Sequence, residues 1–271
     1  MKKLSFSSCM LWFGLIFLYA PMLILVIYSF NESKLVTVWG GFSPKWYGEL
    51  FADQQILDAV WTSLRIAFYS STMAVIIGTM AAFVMTRFKR SWAKLTLSNM
   101  ITAPLVMPEV ITGLSLLLLF VHMADLLGWP KERGMLTVWI AHSTFCAAYV
   151  AVVVSSRLRE LDMSIEEAAL DLGATPLKTF FLITVPMISP ALVAGWLLSF
   201  SLSLDDLVIA SFASGPGATT LPMVVFSSVR LGVSPKINAL ATLIILCVSL
   251  IAFLSWYMAR RAEKRERMPL N

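Results

Sequence analysis

Ser164–Pro190 reads SIEEAALDLGATPLKTFFLITVPMISP and lies between two long apolar runs. Ser164 and Glu167 have the spacing of a capping box, in which the serine oxygen and the glutamate carboxylate each accept a hydrogen bond from a free backbone amide. The following residues recur at helical spacing and predict a short amphipathic helix: Ile165, Ala168, Ala169 and Leu172. Gly173 supplies the left-handed residue that ends this helix.

A second helix is predicted directly after this glycine. Thr175 has the position of an N-cap, and Pro176 that of the first helical residue, where a missing N–H costs nothing. Pro186 and Ser189-Pro190 are expected to end this helix and to begin another, because proline removes a backbone donor. We call residues 164–190 the elbow, and its well-marked ends indicate a rigid surface for docking.

The spacing inside the elbow resembles the EAA loop of bacterial ABC-importer permeases, whose pattern is EAA-x3-G-x9-I-x-L-P. Val185 stands where leucine is usual, and the matching residues are Glu167, Ala168, Ala169, Gly173, Ile183 and Pro186. The resemblance implies that residues 157–189 form a cytoplasmic coupling loop, which docks into a groove of a separate ATPase subunit. The helix would present Ala168, Ala169 and Leu172 to that groove. Alternatively, Glu167 is a helix cap and Gly173 a helix end, roles that are compatible with docking.

The composition of the whole chain is that of a membrane protein. Of 271 residues, 58% are hydrophobic and 14% charged, and the mean hydropathy is +0.80. A soluble core cannot absorb so many apolar residues, so we predict an all-α integral membrane protein. The net charge of +5 lies in loops and the tail, as membrane topology requires, and does not indicate nucleic-acid binding. Cys9, Cys146 and Cys247 lack the spacing of a disulfide or metal site.

Six membrane spans are predicted, at about 11–28, 61–86, 97–122, 134–156, 190–210 and 236–259. An even number of spans places both termini on one side of the membrane. Fourteen of the 21 lysines and arginines lie on that side, which is therefore predicted to be the cytoplasm. The first run has no small-residue cleavage site after it, so we expect an uncleaved helix.

We divide the chain into three parts. Residues 1–59 hold the first transmembrane helix and an external loop. Residues 60–257 are expected to form an ABC transmembrane type-1 permease domain, as the resemblance implies. Residues 258–271 form a basic cytoplasmic tail.

Within the permease family, the chain is most similar to the polyamine (putrescine or spermidine) permease subunits. The stretches that carry this resemblance are Ala103–Ile111, Ser201–Asp206, Ser214–Gly217 and Gly232–Pro235. It implies the type I ABC-importer permease fold in a multi-pass protein of the bacterial inner membrane. It also implies a second homologous permease subunit, two ATPase subunits that bind the ATP, and a periplasmic polyamine-binding protein.

Three carboxylates lie within predicted spans, where ionisable side chains are costly and are therefore candidates for function. Glu109 lies about a dozen residues into span three, after Pro104 and Pro108, so the helix is expected to be kinked or broken there. Asp205 and Asp206 lie in the outer half of span five, and only one of them can face a given path. Acids without an opposing cation in these spans favour a cationic substrate, although pairing with neighbouring helices or a partner subunit is the alternative.

We therefore predict a non-enzymatic transport subunit of an ATP-driven importer for a polyamine, with putrescine as the first candidate. No cofactor or metal is expected in this chain. Gly173-Ala-Thr-Pro-Leu-Lys178-Thr179 lacks the second glycine of a phosphate loop, and His122 and His142 are expected to be interfacial or core residues. Two alternatives stay open: a secondary transporter driven by an ion gradient, with the acids as ion sites, and an importer permease for another small solute.

Overall fold

A computed structural model describes residues 6–35, 38–88, 91–232 and 234–266 of the chain. These residues are helical apart from loops and one antiparallel bridge between Asn31 and Phe42. The described helices are α1 Phe6–Tyr28, α2 Lys45–Phe51, α3 Gln54–Arg87, α4 Trp92–Val106, α5 Glu109–Leu127, α6 Met135–Glu160, α7 Met163–Asp171, α8 Pro176–Thr179, α9 Val185–Asp205, α10 Val208–Ala213, α11 Leu221–Leu231 and α12 Pro235–Glu266, with a π-helical turn at Phe180–Thr184.

Five of the described helical stretches are long and apolar enough to cross a membrane: Phe6–Tyr28, Gln54–Arg87, Glu109–Leu127, Met135–Glu160 and Pro176–Asp205. The predicted sixth span falls in α12, whose described apolar part, Pro235–Leu250, is shorter than a span. The all-helical membrane architecture is confirmed, whereas the count of six and the side on which the termini lie stay predictions. The last residues of the predicted tail, 267–271, lie outside the described residues.

Span three is broken where the prolines predicted a disruption. α4 ends at Val106, Met107 is extended with φ −73° and ψ 139°, and α5 starts at Glu109. Pro108 has no N–H, so the carbonyl of Pro104 cannot receive its helical hydrogen bond. Pro104 itself stays inside α4.

Span five differs from the prediction at both ends. Pro186 and Pro190 do not stop the helix, because the chain stays helical from Pro176 to Asp205. The π-helical turn that directly precedes α9 is a wider turn, and such turns accommodate interruptions of the helical hydrogen-bond pattern. At the other end, Asp206 is extended, with ψ 123°, so the predicted continuous span to residue 210 is wrong. α10 is a separate helix after this break.

The chain forms two compact units. The first contains residues 1–57 and 225–271, in which α12 packs against α1 and α2. Trp46 donates from Nε1 to the carbonyl of buried Asn31 at 2.6 Å. Lys236 Nζ lies 2.8 Å from Asp53, and this hydrogen bond lowers the pKa of the aspartate.

The second unit, residues 58–224, is built around α6. α6 packs against α4, α5, α9 and α10 and carries most of the buried core, including Val150, Val154 and Leu158. Gly78 of α3 is required at its position, since an added Cβ would lie 2.7 Å from Cβ of Val150. Small residues allow such close approach between membrane helices. α6 is thus the helix on which the candidate sites are positioned.

Candidate functional site

The first arm of the elbow is α7, and it begins earlier than predicted. Asp162 is its N-cap and accepts a hydrogen bond from the amide of Ser164 at 3.0 Å. The predicted capping box of Ser164 and Glu167 is therefore wrong: Ser164 lies inside the helix, and Glu167 is exposed. Aspartate is as good an N-cap as serine. The bond from the Ser164 amide lowers the pKa of Asp162.

The turn between the two arms agrees with the prediction. Gly173 has φ +86°, its amide donates to Leu170, and the amide of Ala174 donates to Ala169 at 3.0 Å. This is the Schellman pair of hydrogen bonds, in which a left-handed glycine ends a helix. Thr175 then caps the next helix by accepting from the amide of Lys178 at 3.4 Å, with Pro176 at the first helical position. The elbow is confirmed as two capped helices joined at a glycine.

The residues expected on the docking face are only partly exposed. Ala168 and Leu172 are exposed, Leu172 to 90%, but Ala169 is buried and cannot contact a groove of another subunit. Ile183 is half-buried and Pro186 is exposed. Further exposed apolar side chains extend the surface beyond α7: Leu177, Phe181 and Leu182. An exposed apolar surface of this kind marks an interaction site.

Glu166, which the motif does not single out, has the strongest contacts in the elbow. Arg87 Nη2 donates to its Oε1 at 3.0 Å, and Arg87 Nε lies 3.0 Å from its Oε2. Thr184 Oγ1 donates to the same Oε1 at 2.9 Å. No local signal relates Glu166 to an arginine 79 positions earlier. Helical periodicity could only have shown that the two adjacent glutamates point about 100° apart.

Glu109 is the first residue of α5 and lies beside the break in span three. Its side chain is exposed, at a helix N-terminus where a carboxylate is favourable. In the described part of the chain it has no ion-pair partner. Tyr149 of α6 lies within its electrostatic range. The structure thus combines a carboxylate and an interrupted helix, as expected for a cation path.

The two adjacent aspartates have different surroundings. Asp205 ends α9 and is exposed, without an ion-pair partner among the described residues. Asp206 is buried, and its carboxylate accepts from the amides of Ile209 at 3.3 Å and Ala210 at 2.7 Å. Its Oδ2 also lies 3.1 Å from Nε2 of His142. Asp206 therefore has partners on a neighbouring helix, the alternative considered for the acids.

His142 belongs to a buried polar network around α6. Its side chain is 1% exposed, and its Nδ1 lies 2.7 Å from the hydroxyl of Ser203. Ser70 donates to the same hydroxyl at 3.0 Å, so α3, α6 and α9 are linked. This is the hydrogen-bonded core histidine that the sequence predicts. Buried polar groups in a membrane helix bundle are stable only when they are paired in this way.

The structure places the acids and the elbow at different ends of α9. Asp205 and Asp206 are electrostatic neighbours of Cys146, one turn from Tyr149 on α6. The elbow residues lie before α9, which at 1.5 Å per residue is about 30 Å long. The candidate path residues and the candidate docking residues are therefore separate sites that share one rigid helix.

Comparison with known proteins gives consistent matches. Residues 74–268 match the family described as "Binding-protein-dependent transport system inner membrane component". The putrescine transport system permease protein PotI of Escherichia coli K12 is 68% identical over 252 residues, 93% of this chain and 90% of that protein. The spermidine/putrescine transport system permease protein PotC of the same organism is 39% identical over 248 residues, 92% and 91% of the two chains.

A solved structure supports the fold. A bacterial ABC transporter involved in the import of the acidic polysaccharide alginate aligns with a TM-score of 0.71 over 94% of both chains. The identity is 15%, so this likeness concerns the fold alone. The helices described above therefore have the arrangement of an ABC-importer permease.

Proposed function

This chain belongs to the family of binding-protein-dependent transport system inner membrane components, and on that basis we propose that it is the permease subunit of an ATP-driven polyamine importer. We assign putrescine, in preference to spermidine, as the substrate. The observation that carries this assignment is the identity of 68% to a putrescine permease, against 39% to a spermidine/putrescine permease. The similarity favours the importer over a gradient-driven transporter and over a permease for another solute.

The proposed substrate path contains Glu109 and Asp205. Both carboxylates are exposed and lack an ion-pair partner within the described residues, and both lie where a predicted span is interrupted. An unpaired carboxylate at membrane depth is costly unless a cation approaches it, and a diamine supplies two ammonium groups. Asp206 is less available, because its carboxylate already contacts two amides and His142.

The proposed partners are a second homologous permease subunit, two ATPase subunits and a periplasmic polyamine-binding protein. ATP would be bound by the ATPase subunits. The support from this chain is the exposed apolar surface of the elbow, with Leu172 at its tip and capped helices on each side. The exposed residues of the motif are Glu167, Ala168, Gly173 and Pro186, and Ile183 is half-buried in the π-helical turn before α9.

The assignment is tested with the intact transporter, purified with its companion subunits and reconstituted into vesicles with the binding protein. We expect ATP-dependent putrescine uptake and, for Glu109→Gln, a rise of about tenfold in the KM for putrescine, because one charged contact is worth about 1.4 kcal/mol or more. The control is Glu132→Gln, which removes an exposed acid in the loop after α5.

Two results contradict the proposal at different levels. Uptake that follows an ion gradient without ATP or companion subunits excludes the importer mechanism. ATP-dependent uptake with the same KM in wild type and Glu109→Gln retains the importer and removes Glu109 from the path.

A further inference from the structure

One carboxylate in the elbow joins its own helix to two other elements of the second unit. Glu166 lies in the first turn of α7, Arg87 is the last residue of α3, and Thr184 is the last residue of the π-helical turn before α9. We call these three residues the clasp. Oε1 of Glu166 accepts two hydrogen bonds, from Arg87 Nη2 at 3.0 Å and from Thr184 Oγ1 at 2.9 Å. Arg87 Nε lies 3.0 Å from Oε2 as an ion-pair contact without hydrogen-bond geometry.

The clasp is largely shielded from water. The side chains of Arg87 and Glu166 are 9% and 15% exposed, and Thr184 is buried. The guanidinium meets the carboxylate at two points, one charge-assisted hydrogen bond and one ion-pair contact, and shielding from water strengthens both. Most exposed surface ion pairs lack this rigidity.

The backbone leaves the helical conformation on each side of α7, and we call these two points joints. Leu161, between α6 and α7, is extended with ψ 133°, and Gly173 after α7 has φ +86°. A nine-residue helix held only by two such joints would turn about them when it is pushed. The clasp bridges the Gly173 joint through Glu166 and Thr184. It also connects α7 to the end of α3 through Arg87, so the helix is tied to a neighbour beyond its own chain connections.

We propose that the clasp is the positioning element through which a displacement of α7 reaches α3 and α9 together. The inference rests on the proposed function, in which an ATPase subunit moves the elbow. Glu166 and its neighbour then have separate tasks. Glu167 faces outward toward the partner, and Glu166 faces inward and transmits the movement. Glu166 would act through Arg87 and Thr184 and is therefore a positioning residue.

The test uses the same reconstituted transporter and measures putrescine uptake and ATP hydrolysis in the same vesicles. For Glu166→Gln we expect putrescine taken up per ATP to fall about three- to thirtyfold, with ATP hydrolysis retained, because residues that carry coupling have effects of this size. Arg87→Lys, which keeps the charge and loses the two-point contact, is expected to show the same direction.

Two further variants separate coupling from folding. The exchange Arg87→Glu with Glu166→Arg restores an ion pair between the same elements, and we expect it to recover much of the lost coupling. The matched control is Asp53→Asn, since Asp53 pairs with Lys236 at 2.8 Å and both residues lie outside the elbow. Uptake per ATP should stay unchanged in that control.

Each outcome bears on one claim. Reduced uptake per ATP in Glu166→Gln, with rescue by the exchanged pair, supports the clasp. Unchanged coupling in Glu166→Gln overturns it, as does a parallel loss of uptake, hydrolysis and co-purification of the ATPase, which would make the clasp a folding element only. Absence of ATP-dependent uptake in the wild type contradicts the proposed function itself, whatever the variants do.

Discussion

The elbow and the segment at the C-terminal end of α9 each contain two adjacent acids, and in both regions one acid is bonded inside the protein while the other is exposed. In the elbow, Glu166 is bonded and Glu167 is exposed. At the end of α9, Asp206 is bonded and Asp205 is exposed. The two glutamates lie within one helix, where successive side chains point about 100° apart. The two aspartates are separated by the end of a helix, because Asp206 is extended.

The two bonded acids, Asp206 and Glu166, also differ in the groups that they contact. Asp206 stabilises the start of α10 and contacts a histidine that is 1% exposed, so its loss leaves several buried groups without partners. Glu166 holds together the ends of helices near the surface, with 15% of its side chain exposed. Under the proposed function, the aspartate pair therefore divides into stability and path, and the glutamate pair into coupling and docking.

The largest expected effect is on stability, at the aspartate pair. Asp206→Ala should lower the free energy of unfolding by about 2–4 kcal/mol, because it removes the acceptor of two first-turn amides of α10 and the neighbour of the buried Nε2 of His142. Asp205→Ala should change it by about 0.5 kcal/mol or less. Thermal unfolding of the detergent-purified transporter measures both. Equal shifts for the two variants would show that the aspartates are not divided in this way.

The next largest effect concerns the end of α7, the helix that contains both glutamates. Gly173→Val should destabilise the end of α7 by about 1–2 kcal/mol, since a β-branched residue is strained at φ +86°. Hydrogen exchange of the α7 amides should become faster, and uptake per ATP should fall. Ala174→Val, one residue later at an ordinary φ, is the control. Similar exchange rates in both variants would show that the left-handed conformation of Gly173 does not stabilise the end of α7.

The smallest effect is a pH dependence at the cap of α7. The pKa of Asp162 is lowered by the Ser164 amide, so its contribution to helix stability is fully present above the ordinary aspartate pKa of about 3.9 and is lost as the pH falls through the lower folded value. Wild-type α7 amides should therefore gain exchange on acidification below about pH 4, beyond the intrinsic rate. Asp162→Asn keeps a cap that does not titrate, and an identical pH profile for this variant would contradict the assignment.

Local rules predicted some features of these regions and failed at others. The glycine turn, the Thr175-Pro176 cap and the break near Pro108 follow from backbone chemistry that any chain must obey. The N-cap of α7 was misplaced, because Asp162 and Ser164 both satisfy the local rule and only one can begin the helix. Pro186 was expected to stop a helix that a π-helical turn allows to continue.

The sequence by itself determined the membrane class, the helical elbow, the family motif and the choice of three candidate acids, because composition, periodicity and spacing are local properties. Only the tertiary structure decided which acid of each pair faces inward. The partners of these acids, Arg87 and His142, lie 79 and 64 positions away along the chain. Contacts at that separation arise from the packing of whole helices, which no local pattern encodes, and the division of work within each acid pair follows from them.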